Sequence, residues 1–194
     1  MSRIFTRLLA ASLLALAAAG SGAQTVEVEG VKLESSAQVG NAALQLNGAG
    51  LRTRVVFKVY VAALYVPQKS ADANLLLAQK GPRRIAITML RNVDAESFAD
   101  ALNEGLRNNH SAAQLAGLKA QVDALNATLK LVGEAKKGDL INFEFAPEVG
   151  TRVMVNGQPR GAVIAGEEFF TAVLRIWIGD KPVEASLKKG LLGG

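Results

Sequence analysis

The chain carries 194 residues, with 22 basic and 17 acidic side chains, one histidine and no cysteine. The lack of cysteine excludes disulfides, thiol nucleophiles and cysteine-held metals, and the single His110 cannot build a multi-histidine metal centre. The formal charge of +5 is mild and is not gathered into an aromatic-interleaved basic stripe, so nucleic acid is set aside as a partner, and no cofactor or metal is expected.

The opening residues, MSRIFTRLLAASLLALAAAGSGAQ, place Arg3 and Arg7 ahead of a short Leu/Ala run that ends in small residues. That is the order of a secretory signal peptide. Ser21 and Ala23 fit the small-x-small rule, which sets the signal peptide at 1–23, the mature domain at 24–194 and the expected destination in the periplasm. Nothing beyond it approaches about 20 consecutive apolar residues, so no membrane span is expected. The 171 residues left, 194 less 23, suit one monomeric domain.

Residues 25–34, TVEVEGVKLE, alternate valine with polar residues and predict a strand, and AALQLNGAG predicts another. The stretch 51–67, LRTRVVFKVYVAALYVP, predicts the longest strand, stopped by Pro67. SADANLLLAQK predicts a short buried helix with Ser70 as its N-cap. RRIAITML, at 83–90, predicts a strand with Ile85, Ile87 and Met89 on one face. Asp94 then caps a helix in which Phe98, Leu102 and Leu106 recur every four residues, and a long second helix is predicted over 111–131. His110 falls in the linker between them. LINFEFAP predicts a strand, and TRVMVNGQPRGAVI a hairpin turning at Asn156-Gly157. The chain closes with an apolar helix through Phe169, Phe170 and Trp177, and a short one over 183–191. Strands at both ends with helices between and after them define an α+β domain whose mainly antiparallel sheet is covered by helices on one face.

Successive side chains on a strand point to opposite faces, so the 51–67 run divides by parity. Thr53, Val55, Phe57, Val59, Val61, Ala63 and Tyr65 make a core face. Arg52, Arg54, Val56, Lys58, Tyr60, Ala62 and Leu64 make a graded one, cationic at its start and apolar at its end. Two readings of that gradient stay open: a pocket for an amphiphilic anion, or a solvated sheet face whose cations lay their stems over apolar surface.

The order VEVEGVKLE, LNGAGLRTRVVFKVYVAALYVP and, far downstream, FFTAVLRIWIGDKPVEASLKKGLL resembles the chalcone isomerase-like superfamily, in particular its bacterial exported branch. The resemblance covers nearly the whole mature chain. It implies an open-faced β-sandwich, with a ligand cleft between a large antiparallel sheet and the helices. In the plant enzymes of the superfamily, a phenolate attacks an enone within one molecule, served by an arginine, a tyrosine, an asparagine and threonines. The fatty-acid-binding members use an arginine and a tyrosine to hold a carboxylate. Matched residue by residue, the arginine falls at Arg52 and the first threonine at Tyr60, the phenol of the fatty-acid-binding members. The catalytic tyrosine falls near Phe98, the asparagine at or near Asn103 or Gly105, and the second threonine at Ile176.

Most of the enzyme's hydroxyls are thus absent, and losing one positioned donor can cost on the order of 10²-fold in rate. No catalytic residue is therefore assigned. The leading expectation is a non-catalytic binder of a small amphiphilic anion, a fatty acid or an aromatic acid, held by Arg52 and Tyr60 with Arg54, Lys58 and Asn103 as further candidates. Two other functions stay open. One is an isomerase or intramolecular lyase with Arg52 as electrophile and Tyr60 as proton donor. The other is an envelope interaction protein with Trp177 as anchor.

Overall fold

In a computed structural model that describes residues 25–194, those residues form nine strands and six helices. The predicted signal peptide, 1–23, lies outside the described residues. The first strands are β1 (Thr25–Val28), β2 (Val31–Glu34), β3 (Ser36–Val39), β4 (Ala42–Arg54) and β5 (Phe57–Val66). Helix α1 (Ala73–Ala78) leads to β6 (Arg83–Met89), then α2 (Ala95–Asn109), α3 (Ala112–Gly117) and α4 (Lys119–Val132). The chain continues through β7 (Leu140–Ala146), β8 (Gly150–Val155), β9 (Gln158–Ile164), α5 (Glu167–Ile178) and α6 (Ala185–Leu191). Strands β3 to β9 form one antiparallel sheet in sequence order, and β1 and β2 a separate hairpin. This is the predicted α+β class with a large antiparallel sheet.

The sheet buries both faces where β5 and β6 cross it. Tyr60, Ala62, Leu64, Ile85, Ile87 and Phe143 pack toward the helices, against Phe169, Val173 and Trp177 of α5. Val61, Ala63, Tyr65 and Ala86 face the other way, onto Leu33 of the β1–β2 hairpin and Leu44 and Leu46. The Tyr65 hydroxyl donates to the Glu34 carbonyl at 3.0 Å, at the edge of that smaller core. Arg83 has no exposed surface. Its guanidinium lies 5.4 and 5.2 Å from the Phe145 and Phe170 ring centres and donates to Glu167 at 2.7 Å, tying β6 to the start of α5.

Several expected elements break where the backbone turns. Residues 25–34 are not one strand: Glu29 and Gly30 adopt positive φ, +52° and +79°, and fold it into the β1–β2 hairpin. The 51–67 strand is likewise a hairpin, β4 into β5, turning at Val55-Val56. The N-cap of α1 is Asp72 rather than Ser70, its carboxylate accepting from Asn74 N at 2.8 Å. The 111–131 helix divides at Leu118, whose φ and ψ of −106° and 11° end α3 just after Gly117, a weak helix former. The last helix starts at Ala185 rather than at 183, because Val183 N donates back to the Ile176 carbonyl at 2.8 Å and Glu184 is extended. Strand β3, which carries little alternation, is an addition to the expected set.

The packing of α6 on β4 depends on glycine. A Cβ on Gly48 would collide with the Gly190 carbonyl oxygen, and one on Gly50 would meet Leu187 Cδ1 at 3.1 Å. Bare backbone at both positions lets α6 lie directly on the strand.

Candidate functional site

A cleft of about 660 Å³ opens between the β4–β5 hairpin, α2 and the 181–183 segment that follows α5. Its apolar surface comes from Val59, Phe98, Leu102, Ile176 and Val183, and its polar wall from Arg52, Arg54 and Tyr60. Arg52 and Tyr60 are cross-strand partners, which sets them side by side on one face of the sheet.

Arg52 is already engaged. Its Nη1 donates to Glu184 Oε2 at 3.0 Å and to the Thr53 carbonyl. Glu184 also accepts from Thr53 N, Thr53 Oγ1 and Ser186 Oγ, each at 2.8 Å. Burial pushes the Glu184 carboxyl up, but these bonds from Thr53, Ser186 and Arg52 together outweigh it and hold the group below the usual carboxylate range. Among the described residues, nothing accepts from Arg52 Nε or Nη2, so one edge of the guanidinium keeps its donors.

Tyr60 is 8% exposed and accepts a hydrogen bond from Trp177 Nε1 at 3.0 Å. Burial pushes its hydroxyl up to about 12; the Trp177 bond and the Arg52 charge lower it, and Glu184 raises it again. Tyr60 is thus a neutral phenol at physiological pH, and nothing among the described residues accepts its proton. The cleft therefore meets an O–H donor beside a guanidinium edge. Trp177, 1% exposed, is spent on this contact and on the core, so it is not a surface anchor.

Of the five predicted ligand-binding residues, the fold gathers Arg52, Arg54 and Tyr60 in the cleft and places Lys58 and Asn103 elsewhere. The register of β4 against β5 shifts between Arg52 and Thr53, because Arg52 pairs with Tyr60 but Thr53 pairs with Lys58, leaving Val59 as a bulge. The bulge reverses parity: Lys58 turns to the opposite face and pairs with Glu29, while Phe57 joins the cleft. Asn103 donates to Asn126 Oδ1 at 2.9 Å, bonding α2 to α4, and borders a separate hollow of about 360 Å³. Gly105, the other register weighed for that position, does line the cleft, and so do Phe98 and Ile176.

Sequence reasoning missed Glu184, Arg91 and Lys181. Glu184 belongs to the IGDKPVEASLKKGL segment quoted above, but its pairing with Arg52 across 132 positions leaves no local signal. Arg91 stands just past β6 and lays its guanidinium over the Phe57 ring, 4.8 Å from the centre. Asp94, also on the rim, is occupied as the cap of α2, accepting from Ser97 N at 2.8 Å, and that bond holds its carboxyl low. His110 caps the far end of α2, with Nδ1 2.9 Å from the Leu106 carbonyl.

The fold and the cleft define a chalcone isomerase-like architecture. The chain belongs to the chalcone isomerase-like family, whose sequence model matches residues 25–193. No curated protein sequence matches it. Among solved structures it is similar to the Arabidopsis thaliana fatty-acid binding protein AtFAP1, with a TM-score of 0.66 over 87% of this chain and 96% of that one. The identity is 14%, so the likeness is one of fold.

Proposed function

We propose that this is an exported, non-catalytic binder of a small amphiphilic anion, a fatty acid or an aromatic acid, working in the periplasm. The observation that carries the reading is the Arg52–Tyr60 pair at the polar wall of a cleft whose remaining surface is largely apolar. A carboxylate or phenolate accepts hydrogen bonds from the open edge of Arg52 and from the Tyr60 O–H, both charge-assisted, and the apolar part follows Val59, Phe98 and Ile176. The volume lies within the range of small-molecule sites. The structurally similar AtFAP1 is named a fatty-acid binding protein, which supports the same class of ligand here.

The cleft favours binding over cyclisation. Phe98 and Ile176 present no hydroxyl where the plant enzymes carry a tyrosine and a threonine, and a phenol pushed up to about 12 is a weak proton donor at neutral pH.

Titration with a fluorescent polyene fatty acid, displaced in turn by oleate and by cinnamate, tests the reading. We expect saturable binding that Arg52→Ala weakens about tenfold or more, the worth of one charge-assisted hydrogen bond. Lys58→Ala, on the opposite face, leaves it unchanged. Failure of the probe to bind, or equal binding by Arg52→Ala, overturns it.

A further inference from the structure

The β4–β5 hairpin ends in three consecutive exposed apolar residues at the mouth of the cleft: Val55 is 91% exposed, Val56 80% and Phe57 56%. A run of this kind is a fault in a soluble surface unless it has a use. The backbone makes it stranger. Val55 has φ +58°, a conformation that suits glycine and that a β-branched residue resists. Two other hairpins carry Glu29 and Asn156 at positive φ in the corresponding place, each followed by a glycine, and neither residue is β-branched. At the cleft mouth the chain instead accepts strain and displays two valines.

Charge surrounds this tip. Arg54, Arg91 and Lys181 border the same opening, and none of them forms an ion pair among the described residues. Of the acids on the rim, Asp94 is engaged in capping α2, and Glu104 lies ten residues further along that helix, about 15 Å away.

We propose that the β4–β5 tip is a membrane-docking element that seats the mouth of the cleft on an anionic lipid bilayer. The valines and Phe57 enter the interfacial layer while the neighbouring cations meet lipid phosphates, the combination that holds peripheral proteins on anionic surfaces. Three side chains expose on the order of a few hundred Å², well short of the roughly 800 Å² per partner of a stable protein interface. Among the described residues no helix is long and apolar enough to cross a membrane, and surface docking requires none. The proposal does not depend on what the cleft holds.

The test is flotation of the mature chain, residues 24–194, which contains the whole sheet and both cores, with vesicles of phosphatidylcholine alone or mixed with phosphatidylglycerol. A Val55→Gly, Val56→Asn double variant gives the turn residues its backbone suits, so its unfolding midpoint should equal or exceed that of the parent. We expect the parent to float with the anionic vesicles only, and the variant to lose that binding at least about tenfold. No flotation of the parent, equal flotation with both vesicles, or equal binding by the variant overturns the proposal. So does parental self-association, measured by analytical ultracentrifugation, that the variant abolishes, since it would assign the tip to a second copy of the chain.

Discussion

Glu184 stands where a bound anion would compete. It neutralises one edge of Arg52 while Thr53 and Ser186 hold it in place, so an anion bound at this wall would be held against an internal carboxylate. Replacing Glu184 by Gln keeps the shape and removes the charge; affinity for an anionic probe should rise several-fold, as measured by the same titration. The sign of the acid dependence follows from the depressed Glu184 carboxyl. Its stabilisation is complete above the ordinary value of 4.5 and is lost as pH falls through the lower folded value. Glu184→Gln should therefore lessen the loss of stability on acidification, to which Asp94 and Asp139, also held low, contribute with the same sign. Tyr60→Phe leaves Trp177 Nε1 buried without its acceptor and should cost about 1–3 kcal/mol in urea unfolding. Arg52 and Tyr60 were legible as a pair from the sequence and the family resemblance, whereas Glu184 was not, because its role exists only once α6 lies on β4.

At the scale of elements, two of the three segments most specific to the resemblance, GAGLR and IGDKPVEASLKKGL, meet each other, the third being the FKVYVAALYV strand. Gly48 and Gly50 admit Leu187 and Gly190 of α6, and the same contact brings Glu184 to Arg52. The glycines are thus packing devices that position the site. Gly48→Ala drives a methyl into backbone and should cost at least about 2 kcal/mol, read as a fall in the urea midpoint, and weaken ligand binding with it. Gly105→Ala is different in kind. Its Cβ would lie 2.6 Å from Ile176 Cγ2, a side chain that also lines the cleft, so either Ile176 turns or α2 and α5 part, and the cleft changes shape in both cases. A loss of probe affinity larger than the loss of stability is expected. Hairpins were legible where Asn156-Gly157 announced one and illegible where Val55-Val56 makes one, since no turn chemistry marks a valine pair. The misplacement of Lys58 and Phe57 has the same origin, because the bulge at Val59 reverses a parity that alternation alone carries straight through.

Across the whole molecule, alternation and leucine spacing carry enough information to fix the α+β class and the helical cover on one face, because burial on a large scale follows apolar periodicity. What they omit is how elements lean on one another: the β1–β2 hairpin closing the second core, Arg83 buried between two phenylalanines, and Trp177 turned inward to Tyr60. The cleft arises from those long-range placements, with Arg52 and Tyr60 at its wall and the strained valine tip at its mouth. The most direct measurement is mass spectrometry of small molecules released on denaturing the protein as purified from the cells that produce it, with Arg52→Ala prepared in parallel. The account predicts an anionic amphiphile in the parent and its depletion in the variant. A cleft that releases only neutral molecules, or the same anion in equal amount from both proteins, would contradict it.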